Sequence, residues 1–173
     1  LRAEDWLRIH GEAHAMGMKS NATLLAGLGE TPAERLDHML RLREQQDISG
    51  GFMTFIPLNC YYEKNSVDEV NALTGIENLK NFAVGRLLVD NIPHIKAFWI
   101  HIGVKLSQVS LNFGVDDLDG TVVKEKIAHA AGTEAPESLT QRELTNLIYK
   151  AGRIPVERDT TYNILKVYEP VGA

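Results

Sequence analysis

Apolar positions Trp6, Ile9, Ala13 and Met16 recur at helical spacing, with Gly17 as a stop, and predict a first helix with that face inward. Lys19 to Leu25 follows as a first strand. In the run Thr31-Pro32-Ala33-Glu34, a Thr N-cap, a Pro at the first helical position and a Glu at the third form a capping box. Leu36, Met39 and Leu40 give the helix behind it a buried face. Phe52 to Leu58, bounded by Gly50-Gly51 and Asn59, is a short apolar run and reads as a strand buried on both faces. A polar loop from Asn59 to Leu73 intervenes. A second capping box, Thr74 to Glu77, then opens a helix with Leu79, Phe82, Ala83 and Leu87 inward, which stops before Pro93. Ile95 to Ile100 is the third predicted strand. A short helix with Leu106, Val109 and Phe113 leads through Gly114 to a fourth strand, Val115 to Leu118. Gly120-Thr121 opens another helix with Val123, Ile127 and Ala130 inward.

Buried strands alternating with helices of this size call for a parallel sheet. The fold class is therefore α/β, and four strands amount to half of a (β/α) barrel of eight. Residues 1–132 are expected to form the C-terminal half of such a barrel. Residues 133–173 add a C-terminal helix, opened by a third capping box from Thr140 to Glu143 and ended by Gly152, and an extended tail in which Pro155 restricts the chain to an edge or loop. The chain starts at Leu1 and enters a helix almost at once, so it is expected to be a cut portion of a longer protein.

Composition narrows the function classes. A net charge of -5 and a pI near 5.7, without clustered Lys and Arg, argue against a nucleic-acid surface. Apolar stretches such as Ile95 to Val104 are broken by Lys96 and His101 and fall short of the roughly 20 residues that cross a bilayer, so no membrane partner is expected. The single cysteine, Cys60, excludes an internal disulfide and fits a cytoplasmic location.

Strand C-terminal ends are where a barrel of this kind carries its chemistry. The first is followed by Thr23-Leu24-Leu25-Ala26-Gly27-Leu28-Gly29-Glu30, where Gly27 permits close approach of a ligand and Glu30 stands just ahead of a helix N-terminus. The same pattern serves a plain strand-to-helix turn. The second ends in Phe55-Ile56-Pro57-Leu58, able to flank a flat base or simply to pack. The last ends in Asp116-Asp117-Leu118-Asp119-Gly120-Thr121, whose carboxylates suit ribose or amine groups and whose amides at Gly120 and Thr121 suit an anion, or which caps a turn. His10 and His14 lie four apart, an acceptable zinc spacing without an evident third ligand, and a solvated face of an outer helix is the plainer reading. His94 precedes its strand and so faces the stability side, whereas His101 follows it and reaches the site side.

Read together, the segments Lys19-Ser20-Asn21-Ala22-Thr23, Gly51 to Leu58, Asp90-Asn91-Ile92-Pro93-His94-Ile95-Lys96, Asn112 to Thr121 and Ala151 to Thr160 carry a resemblance. The chain resembles the radical S-adenosylmethionine enzymes of the futalosine route to menaquinone, most closely the aminofutalosine synthases, from about Trp6 to Tyr162. The resemblance implies that Thr23, Leu25, Gly27 and Glu30 occupy the places of the superfamily's Gly-x-Ile-x-Gly-x-x-Glu motif on the adenine side of the cofactor, with Ile56, Pro57 and Leu58 lining the cofactor or substrate. Asp117, Asp119, Gly120, Thr121 and Arg158 are implied to bind substrate. The implied reaction is that of a transferase: a reduced [4Fe-4S] cluster cleaves S-adenosylmethionine, the 5′-deoxyadenosyl radical adds to 3-[(1-carboxyvinyl)oxy]benzoate, and loss of CO2 yields aminofutalosine. An external electron donor is implied, and the cluster's cysteine loop belongs to the family's N-terminal half, so no metal ligand is expected here. The chain departs from the family pattern at Ala26-Gly27-Leu28, where Tyr-Gly-His is usual, and in the loop Asn59 to Asn71.

Other readings stay open at this point. A sibling radical enzyme would spirocyclise a later intermediate or build a deazaflavin. A non-catalytic half-barrel would cover its open sheet edges as a homodimer. A metal hydrolase would use His101 with Asp116 to Asp119.

Overall fold

Three helices begin where a Thr stands three places ahead of a Glu. In the computed structural model, which describes residues 2–60, 73–121, 136 and 138–169, Thr31, Thr74 and Thr140 each accept the backbone N–H of Glu34, Glu77 and Glu143, and each Glu side chain returns to the Thr backbone. Such caps satisfy donors that the first helical turn leaves open. The elements are α1 (Ala3–Ala15), β1 (Ser20–Ala26), α2 (Pro32–Ser49), β2 (Phe52–Asn59), α3 (Gly75–Leu88), β3 (His94–Ile95), α4 (Trp99–Ile102), α5 (Val104–Ser110), α6 (Gln141–Lys150), β4 (Val156–Arg158) and β5 (Ile164–Val167).

β1, β2 and β3 form a parallel sheet in that order. Register puts Ala22 beside Phe55 and Thr23 beside Ile56, so alternate residues of neighbouring strands share a face. One face carries Ala22, Leu24, Ala26, Phe55 and Ile95 into a core with Met39 and Leu42 of α2 and Phe82 of α3. Burial of each large side chain there contributes about 1.5–3 kcal/mol before the entropic cost of ordering it. The other face leaves Asn21, Thr23 and Leu25 exposed.

Helix faces differ from the expected ones because apolar spacing alone does not say which neighbour a helix meets. In α1, Ile9 is 47% and Met16 74% exposed, and the packing stripe is Trp6, His10 and His14, whose rings lie 6.0, 5.4 and 4.8 Å from that of Phe52. The two histidines therefore do not form a solvated face. His14 bonds Ser49 Oγ at 2.7 Å and Ser20 Oγ at 2.8 Å, and His10 bonds Ser20 Oγ at 3.0 Å. Burial, then the nearby His10 and Lys19 charges, push the His14 pKa down. In α2, Leu36 and Leu40 are exposed while Gln46 is buried, because its amide both accepts from Phe52 N–H (2.8 Å) and donates to Phe52 C=O (3.0 Å) where β2 begins. Leu87 of α3 is likewise exposed.

The predicted strand Ile95 to Ile100 is mostly not a strand. The ladder ends at Ile95, and Lys96 continues it only as a bridge to Asp117. Trp99 to Ile102 then forms a helical turn, with Trp99 and Ile100 buried against Leu139 and Leu144 of α6 and the segment before it. A short apolar run signals burial without fixing its period. The fourth predicted strand, Val115 to Leu118, is reduced to that same bridge. The expected extended tail is an antiparallel hairpin, β4 with β5, in which Val156 pairs with Val167 and Arg158 with Ile164. The helix expected after Thr121 and the boundary between residues 132 and 133 lie outside the described residues.

Gly51 is required by packing: a Cβ there would lie 2.0 Å from Cγ of the His14 ring, far inside van der Waals contact. Gly51→Ala in the full-length protein is expected to displace that ring and destabilise by about 1–3 kcal/mol. Urea unfolding checks it, and an unchanged midpoint would show that the α1 contact carries no stability.

Candidate functional site

The face of the sheet turned away from the helices is built by the period of two in its strands. Thr23 pairs with Ile56 and Leu25 with Leu58, giving two layers of that face, with Thr23 and Leu25 exposed and Ile56 and Leu58 half-buried. Pro57 pairs with Leu24 and is buried on the helix side, so of the three residues expected at the end of β2 it does not line this face.

At the end of β1 the chain turns through Gly27, buried, with φ of 94° in the region that glycine tolerates. Glu30 holds this turn. Its carboxylate accepts from the N–H groups of Gly27 (2.8 Å) and Leu28 (2.7 Å) and pairs with Arg35 at 2.7 Å. Burial alone would raise the Glu30 pKa, but the amides of Gly27, Glu30 and Leu28, with Arg35, outweigh it and hold the carboxyl below its usual range. The turn and the start of α3 enclose a cavity of about 470 Å³, lined among others by Gly29, Glu30, Arg35, Thr74 and Glu77.

A charged network crosses the open face. Ile95 and Ala97 point into the core, so Lys96 between them points to the other side. Its ammonium lies 3.1 Å from Asp119 Oδ1 and 3.8 Å from Asp117 Oδ2. Asp117 is buried and receives three donors: Arg158 at 2.6 Å, the Tyr162 hydroxyl, and the Asp119 N–H at 2.9 Å. The Tyr162 ring stacks on His94 at 4.0 Å and under the Arg158 guanidinium at 4.1 Å. Burial, then the Asp117 charge, pushes the Tyr162 phenol up, so it remains a donor. Asp116 turns the other way, to Arg86 (2.9 Å), His94 (2.8 Å) and the Ile95 N–H (2.7 Å).

Among the expected substrate residues, the structure thus joins Asp117, Asp119 and Arg158 in one network. Gly120 lies beside it, with its carbonyl accepting from Trp99 Nε1 at 3.2 Å, and Thr121 is exposed at the end of the described segment. His101 sits on α4 against the Phe98 ring, 5.1 Å away, instead of at a strand end. With Asp116 taken by Arg86 and His94, the hydrolase reading loses its ligand set. Among the described residues no three His, Cys, Asp or Glu side chains are grouped to hold a metal. Lys96 and Tyr162 were not among the expected site residues. A lysine inside an apolar run was a readable signal for the first; nothing local marks the second.

Comparison with known proteins assigns the chain. The sequence profile of the CofH/MqnC C-terminal region matches residues 49–171. The chain belongs to this family. It is similar to aminodeoxyfutalosine synthase of Thermus thermophilus, with 50% identity over 177 residues that cover 100% of this chain and 48% of the relative. It is 39% identical to cyclic dehypoxanthine futalosine synthase of Streptomyces coelicolor, over 96% of this chain and 41% of that protein. It is 40% identical to 5-amino-6-(D-ribitylamino)uracil--L-tyrosine 4-hydroxyphenyl transferase 1 of Methanosarcina barkeri, over 94% of this chain and 45% of that protein. The chain spans about half the length of the curated relatives it matches. Among the described residues, no helix is long and apolar enough to cross a membrane.

The hairpin that brings Arg158 and Tyr162 to the site is organised by Asp159. Its carboxylate takes the Asn163 side-chain amide (2.8 Å) and the N–H groups of Asn163 (2.9 Å) and Thr161 (2.8 Å), and these hold its pKa down from 3.8 to about 2. A depressed carboxylate stabilises the turn fully above its unfolded value and ceases to as pH falls through the folded one, here between about pH 4 and about pH 2. The Thr161 and Asn163 amide resonances are expected to titrate with a midpoint near the lower value, and to stop titrating in Asp159→Asn. A midpoint at the ordinary aspartate value would show that the turn does not hold the charge.

Proposed function

We propose that the protein containing this chain is an aminofutalosine synthase: it transfers the adenosyl unit of S-adenosylmethionine to 3-[(1-carboxyvinyl)oxy]benzoate, with loss of CO2, as a step toward menaquinone. The observation that carries the reading is the 50% identity to aminodeoxyfutalosine synthase over the whole chain, against 39% and 40% to the two sibling activities. In this reading the chain is the C-terminal half of a radical S-adenosylmethionine (β/α) barrel, and the open face of the sheet is part of its interior wall.

The Glu30-held turn and the apolar residues Leu25, Ile56 and Leu58 then serve the adenosyl side, where a flat base needs a dry wall and a backbone fixed in place. Asp117, Asp119, Gly120, Thr121 and Arg158 form the substrate side. An external electron donor supplies the reducing equivalent, and the reaction is cytoplasmic. A [4Fe-4S] cluster supplies radical chemistry in such enzymes, but it needs three thiolates and this chain has only Cys60. The residues present therefore do not hold the cluster, and none of the roles assigned here runs through it.

The full-length gene product, incubated with S-adenosylmethionine, a reductant and 3-[(1-carboxyvinyl)oxy]benzoate, is expected to release aminofutalosine, detected by mass spectrometry. Turnover of dehypoxanthine futalosine or of 5-amino-6-(D-ribitylamino)uracil with tyrosine, and not of this substrate, would move the protein to a sibling activity. Glu30→Gln removes the charge that holds the first turn and is expected to weaken S-adenosylmethionine binding by roughly one to two powers of ten. Wild-type affinity in that variant would take the turn out of the cofactor site.

A further inference from the structure

We propose that Lys96 is the anchor for a carboxylate of the substrate, and that Asp119 is the counter-ion it gives up on binding. The inference rests on the proposed reading of the whole protein as an enzyme acting on an aromatic carboxylate, and deepens it by naming the cation.

A buried ammonium has three N–H donors, and each needs an acceptor that replaces water. Lys96 is 9% exposed, and among the described residues its hydrogen bond is the one to Asp119. Asp117, the nearer carboxylate in the ladder, is not available to it. Its Oδ2 takes Arg158 and Tyr162 and stands 3.8 Å from the ammonium, beyond hydrogen-bond reach, while its Oδ1 takes the Asp119 N–H. The hairpin thereby uses up Asp117 and leaves Lys96 with spare donors on the open face.

The two carboxylates differ in what releasing them costs. Asp117 has an 8% exposed side chain and three donors, and freeing it would strand Arg158 and Tyr162. Asp119 has a 26% exposed side chain at the end of the strand segment, and Lys96 is its charged partner. It is closer to water than Asp117 and its carboxylate has fewer donors to give up. Charge counting points the same way: Lys96 and Arg158 balance Asp117 and Asp119, so an incoming carboxylate restores neutrality at the buried ammonium only if Asp119 withdraws. Beside Lys96 on the same face lie Ile56 and Leu58, half-buried and apolar, which suit the ring that such a carboxylate would carry. Arg158 and Tyr162 are positioning residues in this arrangement, since they act through Asp117.

The test uses the full-length protein with S-adenosylmethionine and, as probe, 3-(1-carboxyethoxy)benzoate, the saturated ether that keeps both carboxylates but has no double bond to react. Calorimetry of wild type, Lys96→Met, Lys96→Arg and Asp119→Asn reads the affinity. Lys96→Met is expected to bind roughly ten- to a hundredfold more weakly, Lys96→Arg to recover most of that, and Asp119→Asn to bind several-fold more tightly because the competing anion is gone. The dimethyl ester should bind wild type and Lys96→Met alike. Wild-type affinity in Lys96→Met, or weakening in Asp119→Asn, overturns the anchor. Should Lys96→Met fail to fold, the sign of the Asp119→Asn change decides alone. Wild-type protein that binds the probe yet forms no aminofutalosine from 3-[(1-carboxyvinyl)oxy]benzoate refutes the proposed reaction, while the variants still judge the anchor by binding. Wild-type protein that does not bind the probe refutes both.

Discussion

Asp117 is a charge held at 9% exposure, and the region around it is arranged to make that tolerable. A buried carboxylate needs donors, and three reach it from two parts of the chain: Arg158 and Tyr162 from the hairpin, and the Asp119 amide from its own turn. Satisfying this one group ties the C-terminal hairpin to the open face of the parallel sheet. It also decides how the remaining charges pair, with Lys96 left to Asp119.

The two sides of the sheet show how local rules divide the labour. On the helix side, apolar alternation buries Ala22, Leu24, Phe55 and Ile95 under α2 and α3. On the open side the same alternation places Thr23, Leu25, Ile56 and Leu58 in register, followed across the sheet by Lys96 and Asp117. An apolar region and an ionic region thus adjoin on one surface. That juxtaposition is the physical basis of the ligand class proposed above, a flat apolar part joined to a carboxylate.

Glu30 illustrates how a residue singled out by a motif can be occupied in building the turn itself. Its carboxylate spends its hydrogen-bonding capacity on two turn amides and Arg35, which fixes the backbone at Gly27. A ligand at this turn would meet a prearranged backbone more than a free charge. Pro57 makes the complementary point: it belongs to a segment expected to line the site, yet the pleat turns it into the core.

Sequence by itself determined three helix starts, those of α2, α3 and α6, because a capping box is a contact between residues three apart and depends on nothing distant. It also determined the α/β alternation, the first two strands, and the family resemblance that segments such as Gly51 to Leu58 and Asn112 to Thr121 carry. Only tertiary structure decided which helix faces turn inward: the His10 and His14 stripe packs on Phe52 although Ile9 and Met16 are the more apolar residues, because Ser20 and Ser49 are there to satisfy the imidazoles. It decided that the apolar run after Ile95 breaks into a helical turn, since burial against α6 and the segment before it fixes the chain there and burial has no period of its own. And it decided the site's electrostatics, for the side chains that donate to Asp117 lie 41 and 45 residues away in sequence. No local pattern can announce a pairing at that range; only the fold brings the charges together.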